Sequence, residues 1–436
     1  MPLPRYLTKP NIERTVLMDS TTPAAWYALQ RTLPPWRFDE LLTELAELAP
    51  QFKIDEVIIK IDTEDFSHGH PDVAWAEAYQ VQLMQVKQTL DKLGIVYSLN
   101  PWITVGHCDR GRDDREKMPG LGIIVGHDGS ETKHCACPLS TVWRERVTKL
   151  WTIYAETKPH IMWIEDDIRT FNHEPVRFGC FCDRHMELFS QRVGEKVDRE
   201  TLVEAMLRPG DPHPWRAEYM AMQREIMIET AGWLGKLVHR TSPDTCMGLM
   251  SSGPRQHCLE GRDWIRFGEA LADGKPLYSR PPMGGYNEVS MRDNYYSHDS
   301  IKLTRHVMPK GAIEQTEVEN IPYTRYSKEP QLHLYRNGGF VRLRFARGDI
   351  EFLRPCRHTI GEGDRIRQND GGEEAVSECT CYGDTAGWAF PGRPSAASSI
   401  CEHVEATAGR LRLSGSGGGW LCDDASVGKP RNFDDL

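Results

Sequence analysis

The sequence Ile-Met-Trp-Ile-Glu-Asp-Asp at residues 161–167 places four apolar residues directly before three acids. A short apolar run bounded by polar residues is typical of a buried strand in a parallel sheet. Helix-like amphipathic patterns separate this run from six others, at residues 15–18, 56–61, 95–99, 246–250, 276–279 and 312–318. Seven alternating strand–helix units predict an α/β fold, a (β/α)8 TIM barrel, with functional groups at the carboxyl ends of the strands.

The composition changes near residue 330. Residues 331–436 contain no methionine and twelve arginines against one lysine, Lys429, whereas all 15 methionines precede them. We expect residues 1–330 to form strands one to seven of a barrel domain whose eighth strand is missing or scrambled. The Arg/Gly/Cys-rich tail over 331–436 is then either a disordered or zinc-binding segment or, as we prefer, a segment translated out of frame. In the second case a one-base shift permits a strand across residues 347–358, and the chain as written is inactive.

Charge and cysteine content narrow the function classes. A formal net charge of −10 argues against nucleic acid as a partner. No apolar run approaches the ~18 residues of a membrane-spanning helix, and residues 1–5 do not resemble a secretory signal. Twelve cysteines without an export signal indicate a reducing, cytoplasmic location, where they are thiols or metal ligands.

Acidic residues are concentrated after predicted strands four and seven. Glu165, Asp166 and Asp167 follow strand four, and in strand seven the period-2 alternation puts Glu317 and Glu319 on one face. Two such carboxyl groups fit hydrolysis of a glycosidic bond, with one protonated as general acid and one ionised as nucleophile. A Mg²⁺ site of a lyase or isomerase, and an acidic rim paired with arginines in a non-catalytic sugar-binding pseudoenzyme, are the alternatives.

Polar and aromatic residues at the other strand ends suit a ligand rich in hydroxyl groups. We expect a carbohydrate substrate and no organic cofactor, and the candidate substrate-binding residues are Asp19, Asn100, Trp102, Asp167 and Arg280.

Two cysteine-rich segments have the spacing of metal ligands. Residues 180–185 read Cys-Phe-Cys-Asp-Arg-His, and residues 134–138 read His-Cys-Ala-Cys-Pro. Two close pairs of sulfur and nitrogen donors can complete a tetrahedral zinc site, and closed ligation would make that zinc structural. Buried thiols without a metal are the alternative.

The segment Cys-Pro-Leu-Ser at 137–140, with Trp143-Arg144, the acid Glu165 and the C-x-C-x-x-H run at 180–185, resembles the family-42 β-galactosidases. The resemblance implies a retaining glycosidase of clan A, with its acid/base on strand four and its nucleophile on strand seven. It also implies a trimer. The chain resembles a divergent sister family of these enzymes more than a close member. A β-mannoside or another β-glycoside is therefore as reasonable a substrate as a β-galactoside.

The resemblance also assigns residues. It implies an acid/base at Glu165, the first acid after the strand, with Asp166 and Asp167 as the alternatives, although Ile164 stands where the family has asparagine. The nucleophile is expected at Glu317, then Glu319, then Glu314, whose Glu-Gln pair is similar to the one at the family's nucleophile.

The same resemblance supplies a zinc ligand set. It comprises Cys137, Cys180 and Cys182, with His185 in the position of the family's last cysteine.

Overall fold

The computed structural model describes residues 26–61, 64, 69–282, 291–318 and 347–351. Of residues 291–298, 318 and 347–351 it describes the backbone alone. The statements below concern these residues.

Eight parallel strands close into a barrel, so the predicted TIM-barrel fold is confirmed. Going round the ring, each strand pairs in parallel with the next, and the last returns to the first. In chain order the barrel strands are β1 (Trp26–Thr32), β2 (Glu56–Lys60), β3 (Val96–Asn100), β6 (Ile161–Ile164), β9 (Cys246–Met250), β10 (Leu277–Arg280), β11 (Ile313–Val318) and β12 (Arg347–Glu351).

Helices connect the strands, and their apolar faces pack on the outside of the barrel. The helix Val73–Leu93 is capped at its C-terminus by Gly94, whose left-handed φ of 70° allows the chain to turn into β3. The helix Thr141–Ala155 begins after Ser140, whose side chain accepts a hydrogen bond from the Trp143 amide. Among the described residues no helix is long and apolar enough to cross a membrane. The helices are α1 (Phe38–Gln51), α2 (Val73–Leu93), α3 (Thr141–Ala155), α4 (Asp183–Val193), α5 (Arg199–Leu207), α6 (Pro214–Thr241), α7 (Trp264–Ala272) and α8 (Met291–Val307).

The first and last barrel strands differ from the expectation. The strand predicted at residues 15–18 lies outside the described residues, and Trp26–Thr32 takes the first position. Arg347–Glu351 pairs with both β1 and β11 and closes the ring, although the sequence offered no eighth strand and placed the domain boundary at residue 330. Pairing of this kind uses backbone amides and carbonyls, so it does not require an apolar pattern.

Side chains alternate between the inside of the barrel and its outer face, which carries the helices. Ile58, Trp163, Tyr278 and Ile313 belong to one buried cluster inside the ring. A Cβ at Gly248 would overlap the Trp163 ring, so only glycine leaves room for this tryptophan.

Two antiparallel hairpins extend from the carboxyl ends of the barrel strands. The first, β4 (Ile123–Val125) with β5 (Glu131–Ala136), follows β3, and the second, β7 (Phe171–His173) with β8 (Val176–Phe178), follows β6. A bridge between Gly126 and Gly179 joins them. The hairpins therefore bring the loops after the third and fourth barrel strands together.

Outside the barrel, α6 packs on α7 through small residues. A Cβ at Gly232 would lie 3.5 Å from the Cβ of Ala270, an ordinary contact distance, but a Cβ at Gly235 would overlap the Leu271 carbonyl. Two glycines of one helix thus have different roles, since only Gly235 is required for close approach.

Candidate active site and cysteine cluster

Glu165 and Glu317 face each other across the mouth of the barrel. Glu165 directly follows β6, the fourth strand of the ring, and Glu317 lies in β11, the seventh. Arg280 Nη1 donates to Glu317 Oε1 at 3.0 Å, and Arg280 Nη2 lies 3.6 Å from Glu165 Oε2. Because one planar guanidinium reaches both groups, the two carboxyls are at most about 9 Å apart. That bound includes the separations used in two-carboxylate hydrolysis.

The environment of Glu165 favours its protonated form. The side chain is 4% exposed, and its Oε1 accepts a hydrogen bond of 2.7 Å from Asn100 Nδ2. Burial raises the pKa of Glu165 more than the nearby Arg280 lowers it. A carboxyl of this kind can hold a proton for a general-acid step.

Strand alternation separates the candidate nucleophiles in β11. Glu317 is buried and shares the inner face with Ile313, whereas Glu314 points to the outer face and accepts a hydrogen bond of 2.6 Å from Arg305 in α8. Glu319 lies outside the described residues. Of the candidates that the structure describes, Glu317 alone meets Arg280 at the barrel mouth.

The next two acids after β6 do not take part in this pair. Asp166 forms a 2.9 Å ion pair with Arg169, which helps to hold the pKa of this carboxyl well below its usual range. Asp167 is fully buried, and its Oδ2 accepts from the amides of Thr104 at 2.6 Å and Gly106 at 2.8 Å. Through Oδ2, Asp167 therefore supports the loop after β3, and its expected contact with a substrate stays a prediction.

Asn100 and Trp102 extend the site from the third strand. The Trp102 amide donates to Asn100 Oδ1 at 2.8 Å, so Asn100 connects Trp102 to Glu165. Trp102 has a φ of 67°, its ring stacks on His107 at 4.7 Å, and Lys60 Nζ lies 4.1 Å from the ring centroid. Trp102 Nε1 donates to Glu64 Oε2 at 3.2 Å, so the ring expected to bind the substrate already contacts three protein side chains. Asp19 lies outside the described residues.

His107 is a site residue that the sequence analysis missed. Its Nδ1 lies 2.9 Å from Glu64 Oε2 and its Nε2 3.6 Å from Asp166 Oδ1. These two carboxylates raise the pKa of His107 despite its burial. Its position seven residues beyond β3, in no recognisable motif, left no local signal.

The four residues expected to bind zinc come together where the two hairpins meet. Their ligand atoms all lie within 4.8 Å of one another. The Sγ atoms of Cys137 and Cys182 are 3.7 Å apart, and His185 Nδ1 is 3.5 and 3.3 Å from these sulfurs. Tetrahedral ligands at ~2.3 Å from Zn²⁺ lie about 3.8 Å apart, so the donor set and its spacing, completed by Cys180, fit a zinc ion.

No family model and no curated protein sequence matches the chain. Solved structures do match it. The glycoside hydrolase domain of PgaB from Bordetella bronchiseptica has a TM-score of 0.55 at 11% identity, covering 82% of this chain and 99% of that one. The β-amylase catalytic domain from Paenibacillus polymyxa has a TM-score of 0.52 at 11% identity, over 83% and 98% of the two chains.

A GH42 β-galactosidase from G. stearothermophilus has a TM-score of 0.53 at 12% identity, over 83% of this chain and 57% of that one. This chain thus spans little more than half of that β-galactosidase. What they share is the fold. At these identities the comparisons show a TIM barrel of the kind found in glycoside hydrolases.

Proposed function

We propose that the protein is a retaining exo-β-glycosidase, similar to a β-galactosidase or a β-mannosidase. The observation that carries the proposal is the pair of buried carboxyls, Glu165 and Glu317, on the fourth and seventh strands with Arg280 between them. The fold shared with glycoside hydrolases supports it, as do the strand positions that the family-42 resemblance implies.

The two carboxyls would act in a double displacement. Glu317 attacks the anomeric carbon while Glu165 gives its proton to the leaving glycosidic oxygen, which forms a glycosyl-enzyme ester and releases an alcohol. Glu165, now ionised, then takes a proton from water as that water attacks the anomeric carbon and displaces the Glu317 carboxylate. Arg280 holds Glu317 through a charge-assisted hydrogen bond and keeps it oriented for attack.

Substrate hydroxyls would be bound around this pair. Asn100, Trp102 and Arg280 are the described residues that we propose for this role, and Asp19 remains a proposal from the sequence. Terminal β-glycosides are the proposed substrates, and we expect the protein to act in the cytoplasm as a homo-oligomer, a trimer by analogy.

The cysteine cluster would hold a structural zinc ion. Cys137, Cys180, Cys182 and His185 supply four ligands, which leaves no position for a reacting water. Zinc there would fix the two hairpins to each other beside the barrel mouth.

A metal-dependent lyase or isomerase has one observation in its favour. Ligand atoms of His107, Glu165 and Asp166 lie within 4.8 Å of one another. However, Arg169 pairs with Asp166 at 2.9 Å and Arg280 lies 3.6 Å from Glu165. Two guanidinium groups beside the same carboxylates disfavour a further cation, so the glycosidase is the better proposal.

A panel of nitrophenyl β-glycosides tests the proposal. We expect nitrophenol release from at least one sugar, with the β-anomer of the free sugar formed first when the products are followed by NMR. Glu317→Gln should abolish turnover, and Arg305→Gln, on the outer face, serves as its matched control. First formation of the α-anomer would refute retention. Absence of hydrolysis of the whole panel by the folded chain would favour the sugar-binding pseudoenzyme.

A further inference from the structure

A second cluster of buried ligand-type residues lies beside the barrel mouth. His70 follows β2, Asp114 lies in the loop after β3, and His134 lies in β5. These three side chains are 2%, 0% and 0% exposed, and each places one ligand atom within 4.8 Å of the other two. None of them belongs to the cysteine cluster or to the catalytic pair.

Both histidine rings are oriented as metal-binding histidines are. His134 Nε2 lies 3.0 Å from Glu64 Oε1, which leaves Nδ1 toward Asp114 Oδ2 at 2.6 Å. One nitrogen of His70 lies against the Val105 carbonyl, and its Nε2 has no hydrogen-bond partner among the described residues. Metal-bound histidines almost always place the other ring nitrogen on a carboxylate or a backbone carbonyl in this way.

We propose that His70, Asp114 and His134 bind a divalent transition-metal ion, for which Zn²⁺ is the best fit. Two imidazoles and one carboxylate are borderline donors that suit Zn²⁺ better than Mg²⁺ or Ca²⁺. The ion replaces the proton that His134 and Asp114 otherwise share, so their separation lengthens from 2.6 Å to about 3.4 Å.

The alternative is a network without metal, in which a protonated His134 bridges Glu64 and Asp114. Among the described residues, that network leaves the buried His70 Nε2 without a hydrogen-bond partner, which destabilises the folded state. It includes Lys117, whose Nζ lies 3.6 Å from Asp114 Oδ1 and whose side chain is 37% exposed. An exposed lysine can move into solvent when a cation takes its place, so its presence is compatible with a metal site.

The backbone is also fitted to this site. Gly69 has a φ of +118°, and a Cβ there would lie 2.6 Å from both carboxylate oxygens of Asp114. The chain therefore packs its backbone directly on the proposed ligand, and the His70 amide donates to Asp114 Oδ2 at 3.0 Å.

The proposed ion would act on the active site through its neighbours. Glu64 contacts both His134 and His107, at 3.0 and 2.9 Å, and His107 stacks on Trp102. An ion bound to His134 therefore fixes Glu64, and with it the His107–Trp102 pair. Its role is positioning, since it is not in contact with Glu165 or Glu317 in this arrangement.

Metal content and cobalt spectra of the full chain test the proposal. We expect about two equivalents of Zn²⁺ in the parent chain and about one in Cys182→Ser and in His70→Gln. His239→Gln is the matched control, because His239 pairs with Asp273 at 3.1 Å in a similar His–Asp contact, and it should keep both equivalents. Co²⁺ added to Cys182→Ser should give d–d absorption without the thiolate charge-transfer band.

A His70→Gln chain that retains the second equivalent would overturn the proposal, as would a Cys182→Ser chain that binds no Co²⁺. If either variant fails to fold, Co²⁺ titration of the metal-free parent decides. A second equivalent that adds absorption without further charge-transfer intensity supports the site, and saturation at one equivalent overturns it.

Discussion

Replacing Glu165 with glutamine should make the rate depend strongly on the leaving group. The change removes the proton but keeps the shape and the hydrogen bond of 2.7 Å from Asn100. General-acid catalysis contributes about 10²–10⁴-fold, or roughly 3–5 kcal/mol of transition-state stabilisation. We expect a loss of that size for alkyl glycosides and for phenols of high pKa, and a much smaller loss when the leaving phenol is strongly acidic.

The assay is a series of aryl β-glycosides that differ in phenol pKa, with kcat/KM measured for the parent chain and for Glu165→Gln. Asp166→Asn is the matched control, since Asp166 is the neighbouring acid and is paired with Arg169. An equal loss for every leaving group, or no loss, would refute the assignment of Glu165 as acid. If Asp166→Asn shows the dependence on leaving-group pKa instead, the general acid is Asp166.

The same variant can identify the nucleophile. Without a general base the glycosyl-enzyme should accumulate when the leaving group is acidic, and peptide mapping by mass spectrometry should find the sugar on Glu317. A sugar on Glu314 or Glu319 would contradict the geometry of the barrel mouth proposed here.

Three further predictions concern pH, metal and packing. Because burial raises the pKa of Glu165 above the usual 4.5, its acid form persists to higher pH. We therefore expect kcat/KM to fall as the pH rises through that pKa. The same fall in a Glu165→Gln chain, measured with an activated substrate, would contradict the assignment of Glu165 as the general acid. Cys182→Ser should lose one equivalent of zinc and several kcal/mol of stability in urea unfolding, whereas Cys258→Ser, at an exposed cysteine, should change neither quantity. In α6, Gly232→Ala should raise the free energy of unfolding by about 0.5–1 kcal/mol, whereas Gly235→Ala should lower it by about 1–3 kcal/mol. Changes of the same sign in the two variants would contradict the α6–α7 packing described here.

Six of the eight barrel strands could be predicted from the alternation of strand and helix patterns, and β2, β6 and β9 among them are dominated by apolar residues. β1 was missed because Gln30 and Arg31 interrupt its apolar pattern. Arg31 is nevertheless buried, and it pairs with Glu44 of α1 at 3.1 Å. A pairing of this kind depends on the tertiary structure, and the local sequence carries no sign of it.

β12 was missed for a different reason. Its sequence, Arg-Gly-Asp-Ile-Glu, has almost no strand propensity, and its register with β1 and β11 comes from backbone pairing. The hypothesis that residues 331–436 are read out of frame stays a prediction. Sequencing the coding DNA tests it, since a one-base shift near codon 328 must restore an open frame with strand and helix patterns.

The candidate sites show the same contrast between local and distant signals. Period-2 alternation and strand order identified Glu165, Glu317 and Glu319 as candidates, and the family resemblance ranked them. The C-x-C-x-x-H run predicted the cysteine cluster, because it places three of the four ligands, Cys180, Cys182 and His185, in one short segment. His70 and His134, in contrast, lie 44 and 20 residues from Asp114, and only the closed barrel brings the three together.

The sequence separation within the cysteine cluster has a consequence for the order of folding. Cys137 and Cys182 are 45 residues apart, and a cross-link across a loop of that length removes chain entropy worth about 4 kcal/mol from the unfolded state. β6 and Glu165 lie inside this loop, whereas Glu317 lies far beyond it. With an ion bound, we expect the ends of the segment that carries Glu165 to join early, and Glu317, the other proposed catalytic carboxyl, to reach it only when the ring closes.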